Sequence, residues 1–314
     1  MFNEIIDKIK QAPFSTEPFR HIEIDEILPD TLFREVISAP EIALSPVDND
    51  RQLVDSLDRT GWKPIPFPGT TENVETYLKW HESGGKVLNT NTCEGFGITF
   101  RLFEPKSSIM KELNEFLGSS IFKNTLMEKF DIASDGIIYD AGVQKYLDGY
   151  EISPHPDIRR KALTYMVNIN PAANSEQLGY HTHYMKFRPA KDYVRSYWQH
   201  NVDSERCWVP WDWCSSEKQQ TRNNSMVIFS PSHDTLHAVL AKYDHLASQR
   251  TQLYGNFWYG DTDKVTLAPD WEHYVVGESG MAGVKRLVPD FIKKPLKILA
   301  GRGSLRAGKR AVRT

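Results

Sequence analysis

The sequence predicts an α+β protein, with helices in the first 130 residues packed on a block of short β-strands. Three observations carry this. Apolar residues recur at helical spacing early in the chain, and near Ile132 the texture changes to short apolar stretches divided by turn residues. The third is that neither strand–helix alternation nor a glycine-rich phosphate loop points to a parallel sheet. Many short strands in one block suggest a sandwich or a barrel. The expected divisions are a mainly helical region, 1–130, a β-rich core, 131–262, and a C-terminal extension, 263–314.

Taken in order, Asn3–Lys10 places apolar residues on one helical face, and Pro29–Ile37 repeats the pattern with Asp30 placed to cap it. Ser45–Ser56 is polar, and Gly61–Gly69, dense in proline and glycine, reads as loop. Pro105–Phe116 aligns Ile109, Leu113 and Phe116, with Gly118 near its stop. No site is evident in this region. The core then offers Gly142–Tyr150, Ala162–Asn170, Val194–Trp198, Ser225–Phe229, Leu236–Leu240 and Arg250–Tyr259 as candidate strands. LTYMVNI, SMVIF and TQLYGNFWY among them are rich in β-branched and aromatic residues.

Composition excludes several classes. An apolar fraction of 40% with 25% charged residues over 314 positions is that of a globular protein with a real core. No run approaches the ~18 apolar residues of a membrane span. The N-terminal MFNEIIDKIKQAPF lacks the basic and long apolar segments of a signal peptide. Cys93, Cys207 and Cys214 are too few for a disulfide framework, so the expected compartment is a reducing cytoplasm. Ten Lys/Arg lie between Val284 and Thr314 against Asp290 alone, which leaves 28 basic and 40 acidic residues in the rest of the chain. An acidic body of net charge −12 argues against a nucleic-acid partner. The basic tail reads as a solvated extension, with weak contact to an anionic surface as the alternative.

The local chemical signal is His155-Pro156-Asp157. In an extended segment, residues two apart face the same way, so imidazole and carboxylate can reach one ion together. A third ligand must come from elsewhere. Two histidines and one carboxylate on one octahedral face leave three positions open, which suits Fe(II), a chelating oxo-acid and O₂. Zinc, with its tetrahedral preference and hydrolytic chemistry, is the competing metal. Upstream of the pair lies Tyr146-Leu147-Asp148-Gly149-Tyr150. Downstream come LTYMVNIN, then Asn224–Phe229, His237, and Arg250-Thr251-Gln252-Leu253-Tyr254.

This order of residues resembles the prolyl-4-hydroxylase-like branch of the Fe(II)/2-oxoglutarate dioxygenases, over roughly residues 133–260. The resemblance implies a double-stranded β-helix (jelly roll) core. It implies His155, Asp157 and His237 as iron ligands and catalytic residues, and Arg250 as the anchor for the far carboxylate of 2-oxoglutarate. Tyr254 and Asn168 are further candidates for a hydrogen bond to that co-substrate. It also implies hydroxylation of a substrate with release of succinate and CO₂. The spacing from His237 to Arg250 is longer than the family pattern, with AKYDHLASQR between.

Alternatives stand beside these assignments. His233 could replace His237, although His237 heads an apolar stretch. His181 and His183, in GYHTHY, could line a pocket or face solvent. Tyr193–Trp213 holds several aromatic residues that could form a lid over the pocket or pack against the core. The expected partner is a small polar or sugar- or amino-acid-derived molecule. A protein side chain is the alternative substrate, and a zinc or manganese jelly-roll isomerase or hydrolase the alternative enzyme.

Overall fold

Local sequence explains the helices. The computed structural model describes residues 2–68, 70–85, 97–201 and 208–260. Within them lie α1 (Asn3–Gln11), α2 (Asp30–Ser38), α3 (Asp50–Arg59), α4 (Val74–Glu82), α5 (Ser108–Gly118), α6 (Ser120–Lys129) and α7 (Tyr193–His200). Three start on side-chain caps: Asn49 accepts from the Gln52 amide, Asn73 from that of Thr76, and Ser119 from that of Phe122. Asp30 is the first residue of α2 rather than its cap, and it pairs with Arg34 one turn on. The polar stretch Ser45–Ser56 contains the start of α3, whose narrow apolar face is Leu53, Val54 and Leu57.

The strands are β1 (Ile22–Ile24), β2 (Trp62–Pro64), β3 (Thr99–Leu102), β4 (Ile137–Tyr146), β5 (Glu151–His155) and β6 (Lys161–Asn168). They continue with β7 (Thr182–Phe187), β8 (Cys214–Gln219), β9 (Met226–Phe229), β10 (His237–Leu240) and β11 (Arg250–Tyr259). They form a seven-stranded sheet, ordered β1-β9-β6-β11-β4-β3-β2, and a four-stranded sheet, ordered β5-β10-β7-β8. All pairings between named strands are antiparallel. The chain passes back and forth: β4, β6, β9 and β11 lie in the large sheet, and β5, β7, β8 and β10 in the small one. Helices and sheets belong to one compact unit, Met1–Tyr274.

Pleating gives each strand of the large sheet two different faces. On β11, Leu253 and Phe257 join the main core, with Ile5, Ile9, Leu53, Leu113 and Phe122 from the helices. The alternate residues Arg250, Gln252, Tyr254, Asn256 and Trp258 line cavities instead. The N-terminal helices therefore cover one face of the sheet, and the other is left for chemistry. Between β4 and β5, Gly149 has φ +82°, and a Cβ there would lie 2.2 Å from the Trp80 ring, so both conformation and space require glycine.

Val194–Trp198 is helical, not extended, being part of α7. A five-residue apolar run does not separate the two states by itself. Trp198 and Trp213 are buried with Met185, Leu236 and Ala238 in a cluster of their own. Ala238 lies between the cavity-lining His237 and Val239 of β10 and points the other way, so these tryptophans cover the outer face of the small sheet. Cys214 belongs to the same cluster, and burial pushes its thiol up to about 12. Cys93, Cys207 and the basic tail lie outside the described residues. No helix among the described residues is long and apolar enough to cross a membrane.

A second polar assembly ties the helices to the strand connections. His81 of α4 hydrogen bonds through Nδ1 to Asp50 of α3 at 2.6 Å and through Nε2 to Asp148 at 3.1 Å. His245 donates from Nε2 to Asp50 at 2.7 Å, and its Nδ1 accepts the Asp148 amide at 2.9 Å. Hydrogen bonds to Asp148 and Asp50 raise His81 to about 9. Because the folded value lies above the unfolded 6.5, the stabilisation is complete below that pH and is lost as pH rises through about 9. Thermal melts should therefore show the chain losing stability between those two values. His81→Gln should be less stable at pH 6 by about 1–2 kcal/mol, after discounting for partial exposure, and should show a flatter pH profile. Parallel profiles for the two proteins would refute this role.

Candidate metal centre

His155 is the last residue of β5 and His237 the first of β10, and the two are directly opposed in the antiparallel register. Their rings lie 4.2 Å apart between centroids. Each is oriented by a backbone carbonyl two residues earlier. His155 Nδ1 is 2.8 Å from Ser153 O, and His237 Nδ1 is 2.9 Å from Thr235 O. A carbonyl only accepts, so Nδ1 carries the proton in each and the Nε2 lone pair is left for an ion. Those Nε2 atoms face Asp157, at 3.5 Å from Oδ1 and 3.9 Å from Oδ2.

Asp157 reaches this point differently from the sequence expectation of a continuous extended segment. β5 ends at His155, and Asp157 has φ +62°. This left-handed conformation is uncommon outside glycine, and Asp adopts it more readily than most residues. The Thr235 hydroxyl donates to Pro156 O at 2.6 Å, tying the turn to the segment that orients His237. The Asp157 carboxylate accepts from Lys161 Nζ at 2.8 Å on Oδ1 and from Thr164 Oγ1 at 2.9 Å on Oδ2.

All three residues are buried, and their ligand atoms lie within 4.8 Å of one another. Burial alone would raise the Asp157 carboxyl; the Lys161 ammonium outweighs it and holds the group well below the usual range. Burial, with His155 beside it, lowers His237 to about 3, so its imidazole is neutral and able to ligate. His233 lies outside this cluster. Asp50, His81 and His245 also meet the distance requirement for a cation. All four of their ring nitrogens already have hydrogen-bond partners, however, which makes that group an ion-pair network rather than a ligand set.

Across the same cavity lies Arg250, first residue of β11 and buried. Its Nη2 donates to Thr182 Oγ1 at 3.1 Å, its guanidinium stacks 4.4 Å above the Tyr146 ring, and its Nη1 is buried without a hydrogen-bond partner. An unpaired buried donor of this kind is costly and suits an anionic ligand. Thr182, Tyr146, Tyr254, Gln252, Lys161, Phe67 and Pro68 line the cavity with the three candidate ligands.

Tyr254 lines this cavity. Its hydroxyl accepts from Lys161 Nζ at 3.2 Å. Asn168 stands apart from the cavity lining. Its amide donates to Gln220 O and Arg222 O, and its Oδ1 accepts from Gln252 at 2.8 Å, so it positions Gln252. His183 bonds Ser216 at the surface. His181 is buried, and burial together with the Arg250 cation lowers it to about 4. Neither lines the cavity. Sequence reasoning missed Lys161, Thr164 and Thr182, and it placed no site residue before position 130, where Phe67 and Pro68 lie. Lys161 carried a usable signal, as a charged residue opening an otherwise apolar strand.

No protein-family model matches the sequence. No curated protein matches it. Solved structures do show likeness. A Pseudomonas putida prolyl-4-hydroxylase is 11% identical, with 82% of this chain and 98% of that one covered at a TM-score of 0.41. A prolyl hydroxylase from Trichoplax adhaerens, in complex with a hypoxia inducible factor oxygen degradation domain peptide fragment, is 12% identical, with 82% and 88% covered at 0.41. EvdO2 from Micromonospora carbonacea var. aurantiaca, complexed with 2-oxoglutarate, is 13% identical, with 72% and 97% covered at 0.31. At that similarity none of them fixes the activity of this chain.

Proposed function

We propose that the chain is an Fe(II)- and 2-oxoglutarate-dependent oxygenase that hydroxylates its substrate, with His155, Asp157 and His237 as metal ligands. One observation carries this. Two imidazoles and a carboxylate converge in a buried cavity that also holds Arg250, whose Nη1 lacks a partner. We read the alternation of β4–β11 between two antiparallel sheets as a double-stranded β-helix (jelly roll), with the site between the sheets.

The donor set fits Fe(II), because one carboxylate and two neutral nitrogens leave room for further ligands. When bound, the metal and 2-oxoglutarate supply the oxidising chemistry, with O₂ consumed and succinate and CO₂ released. The chain supplies position. Arg250 takes the far carboxylate of 2-oxoglutarate, and its planar donors match that group. Thr182 and the Tyr146 ring hold the guanidinium in place. Thr164 and Lys161 fix the Asp157 carboxylate. Phe67, Tyr150 and Ile152 narrow the cavity and restrict water.

Anaerobic titration of metal-free protein with Fe(II) and then 2-oxoglutarate should develop the visible charge-transfer band of the chelate. His155→Ala should abolish it, and Arg250→Ala should weaken 2-oxoglutarate binding roughly tenfold or more. Tight binding of zinc or manganese with no such band would replace this reading with the hydrolase or isomerase alternative. Thr164→Val keeps the side-chain shape and removes one hydrogen bond to Asp157, so Fe(II) affinity should fall roughly tenfold while the fold is retained. Unchanged affinity would remove Thr164 from the metal's support.

A further inference from the structure

The inner face of the large sheet continues past the metal cavity into a second cleft of about 430 Å³. Phe67, Pro68, Lys161 and Tyr254 are common to both, so the two spaces share a wall. β11 runs through them: Arg250, Gln252 and Tyr254 serve the inner cavity, while Tyr254, Asn256 and Trp258 floor the outer cleft. Across the ladder, Asn256 pairs with Asp140 and Trp258 with Ile138, so β4 extends the same face.

Each cation that lines the cleft has a carboxylate partner. Arg101 makes a two-pronged pair with Asp140, at 2.7 Å and 3.2 Å. Lys161 is held by Asp157 at 2.8 Å. The rest of the lining is Asn256, the rings Phe67, Phe103, Tyr254 and Trp258, and the aliphatic Ile65, Pro66 and Pro68. Phe103 is 56% exposed at the cleft, and Ile138, opposite Trp258, is 58% exposed. Large apolar residues left open beside a concave surface mark a binding site.

We propose that this cleft binds the substrate, and that the substrate is a neutral, largely apolar, ring-bearing small molecule, presented to the metal cavity across the wall formed by Phe67, Lys161 and Tyr254. This rests on the oxygenase reading for its chemistry and on the cleft alone for its ligand class. It replaces the small polar, sugar- or amino-acid-derived substrate expected from the sequence. A free carboxylate would lose hydration in a cleft where each cation already has a carboxylate, and a free ammonium would meet Lys161, which already sits 5.3 Å over the Trp258 ring and 5.9 Å over that of Tyr254. A flat neutral ring gains contact with the aromatic side chains at no such cost.

The test uses the full-length metal-free chain and three matched probes at pH 7.5: 2-naphthol, 2-naphthoate and 2-naphthylmethylammonium, followed by calorimetry. 2-Naphthol should bind, and the two charged probes should bind roughly tenfold more weakly or worse. Trp258→Ala should weaken 2-naphthol roughly tenfold. Asp140→Asn releases Arg101, so it should raise 2-naphthoate affinity to at least that of 2-naphthol. His155→Ala should leave 2-naphthol binding unchanged while abolishing the iron chelate band, so failure of the metal assignment and failure of the cleft are read separately. Preference for a charged probe that persists in Arg250→Ala, which lacks the carboxylate-binding guanidinium of the inner cavity, absence of 2-naphthol binding, or indifference to both Trp258→Ala and Asp140→Asn would overturn the proposal.

Discussion

The site depends on one alignment, the antiparallel register that sets His237 of β10 opposite His155 of β5. Successive residues of a strand point to opposite faces, so a shift of one position would turn the imidazole of His237 away and bring in Leu236 or Ala238. Those neighbours are buried in the cluster that covers the outside of the small sheet. The hydrophobic pattern of β10 therefore fixes the placement of its polar residue. β7 pairs along the other edge of β10, setting Thr182 opposite Val239 and bringing its hydroxyl to Arg250. The placement of the two histidines and of the Thr182 hydroxyl that meets Arg250 follows from the same three strands.

Convergence of these groups has an electrostatic cost that the surroundings offset. A carboxylate at this depth would be expensive alone. Lys161 supplies the opposing charge, and Thr164 an uncharged hydrogen bond from the same strand. Both donors come from β6 in the large sheet, whereas His155 and His237 come from the small one. The two sheets are thus joined through the site itself. The same strands β6 and β11 bury Leu163, Val167, Leu253 and Phe257 against the N-terminal helices. Loss of helix packing would therefore reach Lys161, Thr164 and Arg250 through the strands that carry them.

How much of this was legible in the sequence depended on range. α1, α5, β6, β9 and β11 declare themselves because their apolar period is long or their β-branched content dense. His155 and Asp157 are close in sequence, and His237 precedes an apolar run, so the trio could be named in advance as candidate ligands. α3 was hidden because three apolar residues on one face do not stand out in a polar stretch, although Asn49 was a readable cap. Val194–Trp198 was misread because short aromatic runs fit either state. The bend at Asp157 depends on the turn after β5 and on Thr235 nearly eighty positions away, as its bond to Pro156 shows. Lys161 and Thr164 lie only four and seven residues beyond Asp157, yet their approach to it requires the turn and the strand to fold back together.

The two histidine–aspartate groups in this chain show why residue types alone do not assign a metal site. Both place two imidazoles and a carboxylate within one ion's reach. In the helix-side group each ring nitrogen is committed: His81 lies between two carboxylates, and His245 donates to one and accepts from a backbone amide. An ion entering there would have to displace hydrogen bonds already made in a partly solvated setting. In the sheet-side group the carbonyls of Ser153 and Thr235 occupy one nitrogen of each ring and leave the other turned toward Asp157. Burial keeps His237 neutral, so no proton has to leave it before a metal binds. Hydrogen-bond satisfaction thus separates a structural clamp from a candidate ligand set built from the same side chains.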